Sequence, residues 1–350
     1  NTACIMSTSW RLLRDNIQQA RPHFAMEEAL VRLVDAGLSP PTLRLRQVQS
    51  AVFIGAFQNT WQEVDVDYCH SNQIQIVRRA NGGGAVYQEM GSFCFSAFFR
   101  RGFFDQSDDE LYRLFASPVI RTCADYGVEA YLQGRNDVLA SGRKIYGSAQ
   151  LSWYTAFIQS GTFLVNMDFE RMQRVLTPPA LKFVGKDARS IQERVTSLSQ
   201  QAGRELKTGE VMERFAGHTA EELGVHLVAG DLSNEEQSLA AELLRSKYDT
   251  DAWNLGGRKE YQVTVAERTQ VGVMSLSADI QGEIILQVRL SGDLLLNDRR
   301  SLDRLITRLP GCMLDEARAA VQAADLPTDL REGMLGLLTK LAAEIAEQNH

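Results

Sequence analysis

Arg78-Arg79-Ala80-Asn81-Gly82-Gly83-Gly84-Ala85-Val86-Tyr87 reads as a loop held between two strand-like runs, Ile74-Gln75-Ile76-Val77 before it and Phe93-Cys94-Phe95-Ser96-Ala97-Phe98-Phe99 after it. Both flanks alternate or run apolar, which is the strand signature. Consecutive glycines let the backbone adopt positive φ and let a phosphate or a long thin acyl chain lie against main-chain N–H groups. Further along, Gly142-Arg143-Lys144-Ile145-Tyr146-Gly147-Ser148-Ala149 follows the polar stretch Gly134-Arg135-Asn136-Asp137 and precedes another strand-like run, Thr155-Ala156-Phe157-Ile158. A lysine on such a strand edge can hold a compact positive charge against phosphate oxygens. Alone, Lys144 would be an ordinary exposed side chain; beside the arginines and the glycine loop it outlines a site for an acyl adenylate.

Outward from these segments, the chain has room for two domains, with 350 residues and 44% hydrophobic content. Ser107-Asp108-Asp109-Glu110 is a capping box, and Leu111, Leu114, Phe115, Val119 and Ile120 then recur at helical spacing. Residues 176–198, with Pro178-Pro179 and a charged run, read as irregular. Residues 209–247 are helical in pattern. Beyond them, residues 261–296 alternate like strands (Ile284, Leu286, Val288, Leu290), and residues 301–347 are helical with breaks near Pro310-Gly311 and Pro327. The expected fold is α+β: a mixed-sheet domain over residues 9–247 with helices on one side, a linker at 248–260, and a small α+β accessory domain at 261–350.

Composition excludes several classes. The net charge of −7 argues against nucleic-acid binding. No apolar run is long enough to span a membrane and no secretory signal precedes the fold, so a cytoplasmic protein is expected, with Met6 a plausible start. Five scattered cysteines suit a reducing compartment. His23, His70, His218, His226 and His350 leave residues 71–217 without a histidine, which removes a Ser-His-Asp triad around Ser148. Zinc-ligand spacings and a G-x-x-x-x-G-K-[ST] phosphate loop are also missing. Arg78, Arg79, Arg100 and Arg101 are expected to gather positive charge near the site, where they could attract an acidic protein.

Several blocks occur together in order: Phe24-Ala25-Met26-Glu27-Glu28-Ala29, Val52-Phe53-Ile54-Gly55, Phe57-Gln58-Asn59, the Arg-Arg-x-x-Gly-Gly-Gly-Ala-Val block, Gly134-Arg135-Asn136-Asp137, Lys144, Gly147-Ser148-Ala149, Gly161-Thr162, Arg194-Val195-Thr196 and Trp253-Asn254. With Gly282-x-Ile284 and Gly292-Asp293, they resemble the lipoate-protein ligases, relatives of biotin ligases and octanoyl transferases, over nearly the whole chain. That resemblance implies a biotin/lipoate ligase type of fold and an ATP-dependent, AMP-forming activation of lipoate. It also implies transfer to a lysine of an acceptor lipoyl domain, in a 2-oxoacid dehydrogenase subunit or the glycine cleavage H protein. Lys144 takes the place of the family lysine that contacts both the acyl carboxylate and the α-phosphate. Arg79, Gly82, Gly83, Gly84, Ala85, Val86, Tyr87, Asn136, Asp137, Gly147, Ser148, Gly161 and Thr162 are the expected lipoate and ATP contacts, and Asp137 is a weak candidate for Mg2+. In the family the segment matching residues 176–198 closes over the adenylate, which makes it a candidate mobile loop in this chain.

This chain departs from the family pattern at Ala56 (usually arginine), Gln88 (usually histidine) and Ser160 (usually histidine). A transferase drawing an octanoyl or lipoyl group from acyl carrier protein would need a reactive thiol near Lys144. Cys4, Cys69, Cys94, Cys123 and Cys312 offer none between Cys123 and Lys144 or in the 150–200 region, and Cys94 and Cys123 read as packing residues. A non-catalytic acyl- or adenylate-binding paralogue is the alternative that the three substitutions suggest, and a biotin ligase fits the arginine block less well.

Overall fold

The computed structural model describes residues 8–177, 191–256, 260–269, 272–296 and 300–348. Its strands are β1 (Thr8–Leu13), β2 (Thr42–Arg46), β3 (Ala51–Ile54), β4 (Gln75–Arg78), β5 (Val86–Gln88), β6 (Ser92–Arg100), β7 (Ala130–Gln133), β8 (Asp137–Ala140), β9 (Arg143–Trp153), β10 (Ala156–Leu164), β11 (Val225–Ala229), β12 (Val263–Thr269), β13 (Gly272–Gln281) and β14 (Ile284–Gly292). An eight-stranded mixed sheet runs β11-β1-β2-β6-β10-β9-β8-β7, and two three-stranded sheets run β4-β3-β5 and β12-β13-β14.

Strand β6 explains the layering. Phe93, Phe95, Ala97 and Phe99 point one way, Cys94, Ser96 and Phe98 the other, and all seven are buried. A sheet buried on both faces needs cover on both, so helices lie on both sides rather than on one as the sequence suggested. Asp108–Asp125 and Thr208–Leu223 pack with the phenylalanine face, and Ala20–Asp35 and Asn234–Leu243 with the other. The helix Asp108–Asp125 starts at the expected capping box, Ser107 and Glu110 bonding reciprocally to each other's backbone.

The helical reading of residues 209–247 missed strand β11. Gly224, with φ +62°, stops the helix Thr208–Leu223, and the short run after it pairs parallel with β1 at the sheet edge. In the C-terminal part, β12–β14 and the helices Arg300–Arg308, Leu314–Ala323 and Thr328–Gln348 enclose a separate apolar cluster. Ala56 and Phe57, which follow β3, insert into that cluster. Gly292 N–H donates to the Phe57 carbonyl (3.1 Å) and Arg289 Nη2 to the Gln58 carbonyl (2.8 Å), fastening the two parts together. No helix among the described residues is long and apolar enough to cross a membrane.

Candidate active site

The glycine loop connects β4 to β5, the two strands flanking β3 in the small sheet. Arg78 fixes the base of that sheet from behind. Its guanidinium donates to the carbonyls of Gly55 (2.9 Å) and Gln58 (2.7 Å), to Thr60 Oγ1 (2.9 Å) and to the Trp253 carbonyl (2.9 Å). Asn254 Oδ1 accepts the Arg78 amide and Trp253 Nε1 donates to its carbonyl. The short helix Asp251–Asn254, in the stretch read as a linker, therefore splints the strand that enters the loop.

Arg79 shapes the loop from inside, donating to Phe53 O (2.9 Å), Gly82 O (2.7 Å) and Gly84 O (2.8 Å). Burial pushes its pKa down to about 10, with Asp293 opposing the shift. Two of the glycines answer to backbone approach. A Cβ on Gly82 would stand 1.9 Å from the Leu294 carbonyl oxygen, and one on Gly55 1.9 Å from that of Gly83. The Gly83 amide donates to Leu294 O (2.9 Å). In this arrangement the C-terminal segment occupies one of the loop amides.

Lys144 lies near the start of β9. Its Nζ is 2.7 Å from Asp137 Oδ1, both side chains about one-third exposed, and its aliphatic end lies over Gly147, where a Cβ would be 2.5 Å from both Cε and Nζ. Asn136 and Ser148 hold β8 and β9 together here: Asn136 Nδ2 donates to Ser148 O (2.8 Å), and Ser148 N and Oγ both reach Asn136 O. Thr196 N–H donates to Lys144 O (2.8 Å), bringing Arg194-Val195-Thr196 alongside. Gly161 leaves room for the rings of Tyr146 and Phe95, which a Cβ would meet at 2.5 and 2.7 Å.

These elements surround a cavity of about 990 Å³. Every expected contact residue except Gly82 lines it, including Lys144, Asp137, Asn136, Ser148, Gly147, Gly161, Thr162, Arg79 and residues 83–87. Gly82 lies behind the wall, against Leu294. The sequence reading missed Arg46, His23, Glu27, Asn81, Asp293 and Leu295, which line it too. Of these, Asn81, Glu27 and Asp293 lay inside quoted blocks, whereas His23, Arg46 and Leu295 carried no local signal. The four arginines do not gather here: Arg78 is buried behind the loop, while Arg100 and Arg101 bond to Thr155 and to Asp108 and Ser152 at the far end of β6. The portion of the 176–198 loop at 178–190 lies outside the described residues.

Two of the substituted positions have structural work. Gln88 is buried; its Nε2 donates to Thr162 Oγ1 (2.8 Å) and its Oε1 accepts from Ser92 Oγ (2.8 Å), tying β5 to the large sheet. Ser160 accepts from Asn81 Nδ2 (2.8 Å). Cys94, read as packing, lines the cavity, and burial raises its pKa, which works against a thiolate nucleophile. Among the described residues no group of three His, Cys, Asp or Glu side chains could cage a metal ion.

Replacing Gly147 with alanine separates site geometry from stability. The new methyl group would collide with the flexible end of Lys144 rather than with backbone, so the fold should tolerate it while the ammonium is driven from its place. Activity is expected to fall about a hundredfold, near the effect of removing one catalytic donor, with an unchanged denaturation midpoint; full activity would show that Lys144 need not rest on Gly147.

Residues 19–220 match the lipoyl protein ligase A/B catalytic domain. The chain belongs to this family. It is similar to lipoate-protein ligase LplJ of Bacillus subtilis, 28% identical, with the alignment spanning 79% of this chain and 83% of that one. Among solved structures, a bi-partite lipoate protein ligase from Thermoplasma acidophilum, studied with its E2 lipoyl domain, superposes with a TM-score of 0.63 at 30% identity, covering 73% of this chain and all (100%) of that one. A lipoate-protein ligase A bound with ATP superposes with a TM-score of 0.61 at 28% identity, covering 72% and 99% of the two chains.

Proposed function

We propose that this protein is an ATP-dependent lipoate-protein ligase, with residues 9–247 as the catalytic domain, 248–260 as a linker and 261–350 as an accessory domain. The observation that carries the reading is Lys144, whose ammonium sits over Gly147 in a cavity walled by the glycine loop. In the first step a carboxylate oxygen of lipoate attacks the α-phosphorus of ATP; the α–β phosphoanhydride bond breaks, pyrophosphate leaves and lipoyl-AMP forms. Two anions must approach, so the reaction needs fixed cations and N–H donors where charge builds up. Lys144, Arg79 and the loop amides supply them. Gly83 N–H reaches a phosphate only after its bond to Leu294 O breaks.

In the second step the ε-amine of an acceptor lysine attacks the acyl carbon, AMP departs and an amide forms with loss of a proton. The anhydride is already activated, so positioning suffices and no enzyme thiol is required. Mg2+, when bound, would neutralise phosphate charge; a cation that needs only one or two protein carboxylates would find Asp137 beside Lys144, with Asp293 also on the cavity wall next to Gly84. The acceptor is a lipoyl domain, the compartment the cytoplasm, and nucleic acid and membrane are not partners.

The test supplies ATP, Mg2+ and lipoate, octanoate or biotin in turn and follows pyrophosphate release, with mass spectrometry of a lipoyl-domain acceptor. Lipoate-dependent release and a lipoylated acceptor lysine are expected. Acceptor modification from acyl carrier protein without pyrophosphate release would reassign the protein as a transferase, and silence in both assays would make it a binding paralogue.

A further inference from the structure

Cross-strand partners share a face of a sheet, and one row of partners crosses five strands of this one: Arg46 opposite Cys94, Cys94 opposite Thr162, Thr162 opposite Gly147, and Gly147 opposite Asp137. Lys144 rests over Gly147 and marks where the acyl carboxylate belongs. Three strand spacings separate Gly147 from Arg46, about 14 Å, which suits an octanoyl-length acid lying across the strands. Arg46 is buried, yet its side chain forms part of the cavity wall. Phe24 and Phe53 flank that end, packed on the His23 ring at centroid distances of 4.3 and 5.7 Å. The far end of that row therefore carries a guanidinium, beside His23 and Glu27 and between two phenylalanine rings.

Protein partners satisfy most of that guanidinium. Nε donates to His23 Nδ1 (2.8 Å), Nη1 to Arg44 O (3.3 Å), and Nη2 to Ser96 Oγ (3.1 Å) and toward Glu27 (3.3 Å). His23 is kept neutral by burial and by the two arginines, so it accepts rather than competes. An arginine carries five N–H donors, and these contacts leave one on Nη1 to be used. A methyl group packed against it would strand a desolvated donor, whereas an acceptor would pair with it.

We propose that Arg46 is a specificity-determining residue: it favours acyl acids of octanoyl length whose far end carries a hydrogen-bond acceptor, such as a ring sulfur or a hydroxyl, over the saturated acid ending in methyl. The inference rests on the ligase reading for the orientation of the acid.

Calorimetric titration of the full chain with octanoate, 8-hydroxyoctanoate and lipoate tests it without needing turnover. The two acceptor-bearing acids are expected to bind about tenfold or more tightly than octanoate, one unmade buried hydrogen bond being worth about that factor. Arg46→Met should erase the difference by improving or sparing octanoate. Equal affinity for all three acids in the unaltered protein overturns the proposal, as does a variant that weakens all three alike, which is what a purely structural arginine would give. If Arg46→Met does not fold, the ordering in the unaltered protein decides alone. The expected ordering without pyrophosphate release would sink the ligase reading and leave the acid preference standing.

Discussion

Lys144→Ala is expected to lower the rate of ATP–pyrophosphate exchange with lipoate on the order of 10²–10³-fold, the loss that follows removal of one preorganised donor from a charge-stabilising site. Stability should barely change, because the Lys144–Asp137 pair is about one-third exposed and such pairs contribute little. Lys144→Arg should recover only part of the rate. The ammonium is compact and lodged against Gly147, and a planar, branched guanidinium cannot occupy the same space. When preformed lipoyl-AMP is supplied, transfer to the acceptor lysine should suffer much less, since the phosphate repulsion has already been overcome. An exchange rate within a few-fold of the unaltered protein would remove Lys144 from the centre of the reaction and with it the observation that supports the ligase reading.

How far the site could be read from sequence follows from what each residue answers to. The glycine loop and Lys144 were legible because local rules fix them: consecutive glycines between apolar runs, and a lysine between glycines on a strand edge; Asp137 came only with the family resemblance. The capping box at Ser107 was legible for the same reason. Arg46 was not. Thr42-Leu43-Arg44-Leu45-Arg46 alternates charged and apolar residues, the pattern of a strand with one wet face, yet every residue of β2 is buried. What lies over that face, the helix Ala20–Asp35 with His23 and Glu27, is a tertiary fact that periodicity does not carry. The glycines show the opposite limit. Their presence announced close approach of a backbone or a ligand, but Gly82 makes room for the Leu294 carbonyl, from more than half the chain away, rather than for a phosphate.

The buried charges beneath the acyl pocket should be the most sensitive point in the fold. Arg44 is fully buried, with Nε on Asp15 and Nη1 on Glu27 Oε1 (2.9 Å), while Glu27 also accepts from Ser96 Oγ (2.6 Å) and lies 3.3 Å from Arg46. Two cations and two carboxylates thus neutralise one another away from water. Glu27→Ala leaves Arg44 and Arg46 facing Asp15 alone, and losing one partner of a buried pair costs about 3–5 kcal/mol; chemical denaturation should show a loss of that size. Acid should act in the same direction. Burial opposes ionisation of Asp15, but Arg44, the Ile17 amide and Arg46 outweigh it and hold its pKa below the ordinary carboxylate value. The stability this contributes is complete above about pH 4, the unfolded value, and drains away as pH falls through the lowered one. Glu27→Ala breaks the same cluster at every pH, so the variant should denature at a higher pH than the unaltered protein in an acid titration. A variant with a denaturation midpoint within experimental error of the original would mean that water reaches Arg44 and that the cluster is not the dry network its geometry describes.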